Sequence, residues 1–373
     1  MKPMRLLFVA RAIHQMAGGV ERMVTTIMNA MVVRGHQVDF LTWDLAGAVS
    51  FYPLRPDITW HPLNMGDPTI KATRRLKLRR TVAVRRLIEQ IGPDVIICFQ
   101  AGTFMAMRMY TAGMSVPVVA AERNAPSRFQ FIQAGRYQSL TYQALRWADL
   151  ILVQCESYRS LYPPFLRDRI VTIPNPIFPA ARFAQPDHPT PDGRWQIVSV
   201  GRLSYQKNYT VLIEAFAQLA PQFSKWDLVI WGDGEDRAKI TQLIQERSLE
   251  SRVQLPGVTP AISEAYEEAH LFCLPSLWEG FPNALGEAMA HGLPGIGFAD
   301  CAGMSDLIIP DKNGLLAEGN NDAQSMAQTL AKLMASSDLR ARMGKLGICT
   351  MQSYQPEQIF TRWQSVLRDV IQK

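Results

Sequence analysis

The chain has 373 residues, 47% of them apolar and 19% charged, with a formal net charge of +6 at pH 7. This composition excludes a disordered or fibrous protein, and the length suits two domains rather than one core. The five cysteines (Cys98, Cys155, Cys273, Cys301, Cys349) contain no Cys-x-x-Cys pair, which disfavours a metal or disulfide framework and fits a reducing compartment. Near the N-terminus, the apolar run Leu6–Ala10 stops at Arg11, too short for a signal peptide. No run approaches the roughly 20 apolar residues of a membrane span. The expectation is a cytoplasmic protein, soluble or peripheral on the inner face of the plasma membrane.

Strands and helices alternate along the chain. Arg5–Ala10 reads as a buried strand. After Gly18-Gly19, Val20–Arg34 reads as an amphipathic helix ended by Gly35, and Gln37–Trp43 as the next strand. That strand–helix–strand unit is the element of a parallel sheet. Helix Arg74–Ile91 follows and leads into strand Val95–Phe99. Further buried strands are expected at Pro117–Ala121, Leu150–Gln154 and Ile170–Ile173. The breaker-rich stretch from Pro179 to Gly193 reads as an interdomain linker.

A second alternating set starts at Gln196–Val200. It runs through helix Thr210–Ala220, strand Asp227–Trp231, helix Glu235–Ser248 and strand Val253–Leu255. Helix Ile262–Ala269, strand Leu271–Leu274, helix Ala284–His291 and strand Gly295–Phe298 complete it. The tail 356–373 reads as an amphipathic helix that packs back on the first domain. The fold expected is α/β, with two doubly wound Rossmann-like domains, 1–180 and 194–352, facing a cleft. In such sheets ligands bind outside the carboxyl ends of the strands, so chemistry is sought in the loops there.

Two loops stand out. Gly201, Arg202 and Lys207 follow a strand end: a glycine lets the backbone approach a ligand, and two cations suit a diphosphate. Alone, such a pair is equally ordinary surface charge. Glu279-Gly280-Phe281-Pro282-Asn283-Ala284-Leu285-Gly286-Glu287 follows another strand and opens a helix near Pro282. First-turn amides and the helix dipole there make an anion site. Glu279 and Glu287 bracket it, and carboxylates accept hydrogen bonds from sugar hydroxyls. Taken singly, both are also common surface residues.

The segment Glu279–Glu287 resembles the Glu-x7-Glu motif of the family 4 retaining glycosyltransferases, which have the two-domain GT-B fold. Gly201-Arg202 with Lys207-Asn208, Trp231-Gly232-Asp233-Gly234-Glu235, Gly18-Gly19-Val20-Glu21, Pro174-Asn175-Pro176 and Asp311 with Gly314 resemble further motifs of that family, in order, over about residues 5–370. The resemblance implies roles. Arg202 and Lys207 would bind the donor diphosphate and stabilise the leaving group, and Glu279 would hold the transferred sugar. Glu287 would hold the ribose. Backbone at Asn283, Ala284 and Leu285, beside Phe281 and Pro282, would contact phosphate and sugar. Gly18, Gly19, Gly201 and Gly232 would admit the phosphates, and Gly257-Val258 would lie by the base. The donor implied is a UDP-sugar, with no cofactor and no metal.

The pattern departs from the family at one point. Many members carry a histidine after the strand that corresponds to Val95–Phe99, where this chain has Gln100-Ala101-Gly102. None of the histidines at 14, 36, 61, 188, 270 or 291 replaces it. Gln100 and Arg123 are the acceptor-side candidates, with Glu122 and Asn124. Glu122-Arg123-Asn124 resembles a segment of bacterial family 4 enzymes that add N-acetylhexosamines to lipid-linked oligosaccharides. It reads equally as a structural loop closure.

Lys71, Arg74, Arg75, Lys77, Arg79, Arg80, Arg85 and Arg86 form a basic run that suits an anionic membrane surface or a solvated helix face. No known motif supports nucleic-acid binding. No Gly-x-Gly-x-x-Gly follows the first strand, which leaves a nicotinamide or flavin enzyme unsupported. The reading is transfer of a hexose or N-acetylhexosamine from a UDP-sugar to a lipid-linked oligosaccharide or surface polysaccharide, forming an α-linkage. The alternatives are a sugar-nucleotide epimerase or hydrolase of the same shape, and a non-catalytic sugar-binding module.

Overall fold

A computed structural model describes residues 2–70 and 72–372. Met1, Lys71 of the basic run and Lys373 of the tail lie outside the described residues. The chain divides into two compact units: Met1–Asn175 with Glu357–Lys373, and Pro176–Pro356.

In the first unit the elements are β1 (Arg5–Ala10), α1 (Gly19–Val33), β2 (Gln37–Thr42), β3 (Ile58–Pro62), α2 (Arg74–Ile91), β4 (Val95–Phe99), α3 (Ala101–Tyr110) and β5 (Val118–Ala121). They continue with α4 (Gln138–Leu145), β6 (Leu150–Val153), α5 (Ser157–Leu161), α6 (Pro164–Arg167) and β7 (Ile170–Thr172). Among the described residues these strands form a seven-stranded sheet in the order β3-β2-β1-β4-β5-β6-β7. Every pair is parallel. Strands covered on both faces must be apolar throughout, and β4, β5 and β6 are buried at each residue.

The second unit holds β8 (Trp195–Val200), α7 (Tyr209–Leu219), β9 (Trp226–Trp231), α8 (Arg237–Glu246), β10 (Val253–Gly257), α9 (Ile262–Glu267) and β11 (Leu271–Leu274). It closes with α10 (Asn283–Ala290), β12 (Gly295–Phe298), α11 (Met304–Leu307), β13 (Gly314–Ala317), α12 (Ala323–Met334) and α13 (Ser337–Met351). Its six-stranded sheet runs β10-β9-β8-β11-β12-β13, again all parallel. Both sheets are Rossmann-like, with the strand order reversing beside the first strand of each.

The last helix, α14 (Pro356–Ile371), returns to the first unit. Ile359, Phe360, Trp363, Leu367 and Val370 join the core formed by Phe8, Phe40, Ile97 and Phe99. These five recur at helical spacing and give the stripe a one-sided helix needs.

The structure differs from the sequence reading in several places. The edge strand β3, with sequence ITWHP, has no counterpart among the expected strands, since its histidine and proline mask the alternation. α3 begins Ala101-Gly102, a pair that reads as loop. The stretch 179–193 is not a free linker. Ala184 N donates to His291 O at 2.8 Å, and Arg340 Nε to Pro186 O at 2.6 Å, tying it to the second unit. Prolines and glycines mark irregular backbone, not exposure. His270, between the expected helix and strand, is a buried tether: its Nδ1 accepts from Gln196 N at 2.9 Å and its Nε2 lies 2.8 Å from His188 O.

Candidate functional site

The reversal of strand order puts β8 beside β11, pairing Ile197 with Leu271 and Val198 with Phe272. Loops leaving the carboxyl ends of two such strands run in opposite directions and open a crevice. Residues 72 apart in sequence meet there. Lys207 Nζ donates to Glu279 Oε1 at 2.6 Å, and Ser276 Oγ donates to the same oxygen at 2.6 Å. The Lys207 side chain is 16% exposed and that of Glu279 7%, so the pair is largely withdrawn from water.

The two loops are also stitched together. Leu277 N donates to Gln206 O at 2.9 Å, and Gln206 Nε2 to Trp278 O at 2.8 Å. Gly201 makes room for the lysine: a Cβ there would lie 2.8 Å from Tyr209 Oη and 3.0 Å from Lys207 Cε. Gly232, at φ +136°, lies so close that a Cβ would overlap the Gly201 carbonyl. Gly201 N donates to Trp231 O at 2.9 Å and Gly232 N to Gly257 O at 2.8 Å, so the ends of β8, β9 and β10 form one ledge. Val258, just beyond, is exposed.

Arg202 stands apart from this packed cluster. Its side chain is 75% exposed, with Nε 3.3 Å from Glu235 Oε2. An exposed pair of this kind holds its partners weakly, which leaves the guanidinium available to an anion.

Across the crevice α10 begins after Pro282. Phe281 is buried, its ring 6.1 Å from that of Tyr354, and anchors the turn. Asn283 N donates to Phe281 O at 2.8 Å. Ala284 and Leu285 lie in the first turn, where amide groups have no partner within the helix and the dipole favours an anion. Glu287 follows one turn later, with Tyr266 Oη 3.5 Å from its Oε2.

In the first unit, Gly18 caps the start of α1 after β1, and Gly19 is its first residue. Gln100 follows β4 and caps α3 with φ +71° and ψ 145°, a conformation nearly reserved for glycine. Glu122 and Arg123 follow β5 and are buried; Asn124 is half-buried. The Arg123 guanidinium lies between the rings of Phe99, at 4.9 Å, and Trp363, at 5.3 Å. Its Nη1 donates to Asn175 Oδ1 at 3.2 Å, while Nε and Nη2 find no hydrogen-bond partner among the described residues. Burial holds the Arg123 pKa down at about 9, with Glu122 opposing. Burial raises that of Glu122, against Arg128 and Arg123.

The basic run splits in two. Arg80 is buried and donates through Nε to Met65 O at 3.1 Å, and Arg85 Nη1 donates to Ala112 O at 2.8 Å. Both are structural. Arg74, Arg75, Lys77, Arg79 and Arg86 are exposed, beside exposed Leu78 and Val82.

The sequence reading missed Ser276, Gln206, Trp278 and Trp363, and it quoted Glu235 within a motif without giving it a role. Of the missed residues only Ser276, three residues before Glu279, carried a local signal. Among the described residues, no group of three or more His, Cys, Asp or Glu side chains is placed to hold a metal ion. Among the described residues no helix is long and apolar enough to cross a membrane.

Comparison with known proteins agrees with this architecture. Residues 17–180 match the description Glycosyltransferase Family 4, and residues 181–348 match Glycosyl transferases group 1. A Campylobacter jejuni protein is 24% identical over 373 residues, 98% of this chain and 99% of that one. It is named a GalNAc-alpha-(1->4)-GalNAc-alpha-(1->3)-diNAcBac-PP-undecaprenol alpha-1,4-N-acetyl-D-galactosaminyltransferase. Among solved structures, sucrose-phosphate synthase of Thermosynechococcus elongatus superposes with a TM-score of 0.82 at 19% identity, covering 98% of each chain. Anabaena HepE, in complex with UDP and glucose, gives 0.77 at 17% identity, covering 98% of this chain and 99% of that one. With both of its domains matched in order and both sheets of the expected topology, the chain belongs to the family 4 glycosyltransferases of GT-B fold.

Proposed function

We propose that this glycosyltransferase moves a hexose or N-acetylhexosamine from a UDP-sugar to a lipid-linked oligosaccharide or surface polysaccharide. We further propose that it retains the anomeric configuration, forms an α-linkage and needs no metal ion. The observation that carries the reading is the Ser276–Glu279–Lys207 cluster at the β8–β11 reversal, on loops that also carry Arg202 and the start of α10.

Breaking the anomeric bond leaves a nucleotide diphosphate with growing negative charge. Lys207, already oriented by Glu279, supplies a cation in a partly desolvated place, and Arg202 supplies a mobile forked donor. The first turn of α10 adds amides on the other side. Groups fixed before the reaction oppose that charge without reorganising. Glu279 carries two hydrogen bonds on one oxygen, and we assign its carboxylate to hydroxyls of the transferred sugar. Glu287 is assigned to the ribose. With the leaving group so stabilised, the acceptor hydroxyl attacks on the face that the diphosphate leaves, and its proton passes to the departing phosphate oxygen. The name of the Campylobacter relative supports the choice of acceptor class, and the UDP bound by HepE, which shares this fold, supports the choice of donor.

The test is nucleotide release from a panel of UDP-, GDP- and ADP-sugars, with and without membrane lipid extract, in the wild type and in Arg202→Ala. Release from one UDP-sugar that needs the extract and vanishes in the variant is the expected result. Release indifferent to the extract overturns the lipid-linked acceptor, and release from GDP- or ADP-sugars alone overturns the donor.

A further inference from the structure

A pocket of about 570 Å³ opens in the first unit, lined by Gln143, Arg146, Trp147, Phe165 and Arg169. We propose that it is a second carbohydrate site, which holds an acidic sugar residue of an extended glycan away from the place of transfer. The proposal rests on the reading of the acceptor as a glycan.

Four observations carry it. First, Trp147 is 67% exposed and Phe165 47%. Two large aromatic rings left in water around one concavity mark a binding surface rather than a core. Second, both guanidinium groups are held in place. The Arg146 Cζ lies over the Phe165 ring at 5.5 Å while its Nη1 donates to Gln143 Oε1 at 3.3 Å, and Arg169 Nη1 donates to Ala148 O at 2.9 Å. Third, the lining contains two cations and no carboxylate, so its occupant is an anion. Fourth, the volume lies within the roughly 300–1,000 Å³ of small-molecule sites.

The chemistry of the lining narrows the occupant. A flat ring packs against the C–H face of a pyranose. Guanidinium forks pair with a carboxylate or sulfate, and the Gln143 amide suits hydroxyls. A bilayer would be met by a projecting apolar ridge along a helix, whereas these rings line a hollow. The occupant fitted by hollow, rings and charge together is a sugar bearing a carboxylate, sulfate or phosphate ester.

The location makes this a remote site. Trp147 precedes β6 and Arg169 directly precedes β7, so the pocket lies at the amino ends of these parallel strands. Gln100 and Glu122 follow the carboxyl ends of β4 and β5. A strand such as β6, of 4 residues, spans about 13 Å. A sugar in the pocket is therefore not the one that reacts. It belongs several residues along a chain, and its capture would favour long acidic acceptors over short neutral ones.

The experiment is calorimetric titration of the full chain with a galacturonic acid hexamer and with maltohexaose, in the wild type, Trp147→Ala and Arg146→Gln. Both variants change exposed side chains; a thermal melt measured in parallel reports intact folding of the first unit, and UDP binding reports that of the second. The acidic hexamer is expected to bind the wild type at least tenfold tighter than maltohexaose does. Each variant is expected to weaken it at least tenfold with UDP affinity unchanged. Equal binding of the acidic hexamer by wild type and variants, or none by the wild type, overturns the proposal. So does loss of binding to phosphatidylglycerol vesicles in Trp147→Ala with hexamer binding untouched, since the pocket would then be a lipid contact. Hexamer binding that depends on Trp147, with no nucleotide released from any UDP-sugar, supports the pocket and overturns the transfer reading instead.

Discussion

Lys207 and Glu279 share a short ion pair with little access to water. Removing one partner of such a pair leaves the other charge uncompensated, at a cost of about 3–5 kcal/mol when burial is complete. Glu279→Gln keeps the shape but removes the charge opposite Lys207, so a thermal midpoint measured beside turnover is what separates chemistry from folding. Its turnover is expected to fall roughly 100- to 1,000-fold while the affinity for free UDP changes less than threefold; equal loss of both would refute the assignment of Glu279 to the sugar. Arg202→Ala, at an exposed position, is expected to fold normally, with an unchanged thermal midpoint and a comparable loss of turnover. Gln100 offers a test of opposite sign. Its backbone strain costs on the order of 1–3 kcal/mol, so Gln100→Gly should raise the midpoint of thermal unfolding. If the side chain orients the acceptor, kcat falls in the same variant; a higher midpoint with wild-type kcat would remove Gln100 from the site.

Elements are joined by buried polar side chains that titrate. His270 ties the stretch 179–193 to β8 through His188 and Gln196. Burial, reinforced by the positive charge of Arg340, holds its pKa down at about 4, against 6.5 for an ordinary histidine. The unfolded chain binds the proton near pH 6.5 and the folded chain only near 4. Stability present above pH 6.5 is therefore lost as the pH falls through that window, by roughly 3 kcal/mol in total. Thermal midpoints of wild type and His270→Gln at pH 7 and pH 4.5 check this: the variant is expected to lose less on acidification. The helix α14 is bound differently, through Trp363, which is fully buried and faces Arg123. Trp363→Ala is expected to cost about 3–5 kcal/mol, read by denaturant unfolding. On α2, the exposed Arg74, Arg75 and Arg79 are proposed to meet anionic lipid, so changing all three to Ser should abolish binding to anionic vesicles. Unchanged binding would return the run to a solvated face.

The whole molecule folds as two units, each with its own sheet. Residues 176–356 form one of them without interruption. That fragment is expected to give a cooperative melt and to bind UDP when expressed alone, whereas residues 1–175 without α14 leave Phe8, Ile97 and Phe99 short of their cover and should not melt cooperatively. The sequence by itself determined the alternation of strands and helices, because apolar runs and their breakers are local features. It also marked the glutamates of the β11 loop and the cations of the β8 loop as candidates, since the family's motifs are contiguous. Other features depended on neighbours distant in the chain. Nothing near Arg123 announces that Trp363 will cover it, and nothing near Lys207 announces that Ser276 will share its carboxylate. The split of the basic run into structural Arg80 and Arg85 and exposed Arg74, Arg75 and Arg79 was decided by which carbonyls the fold brought within reach. Local periodicity records which face of an element is apolar; only the order of strands in the sheet decides what meets that face, and for that reason the site was legible as loops and became a site only when β8 was placed beside β11.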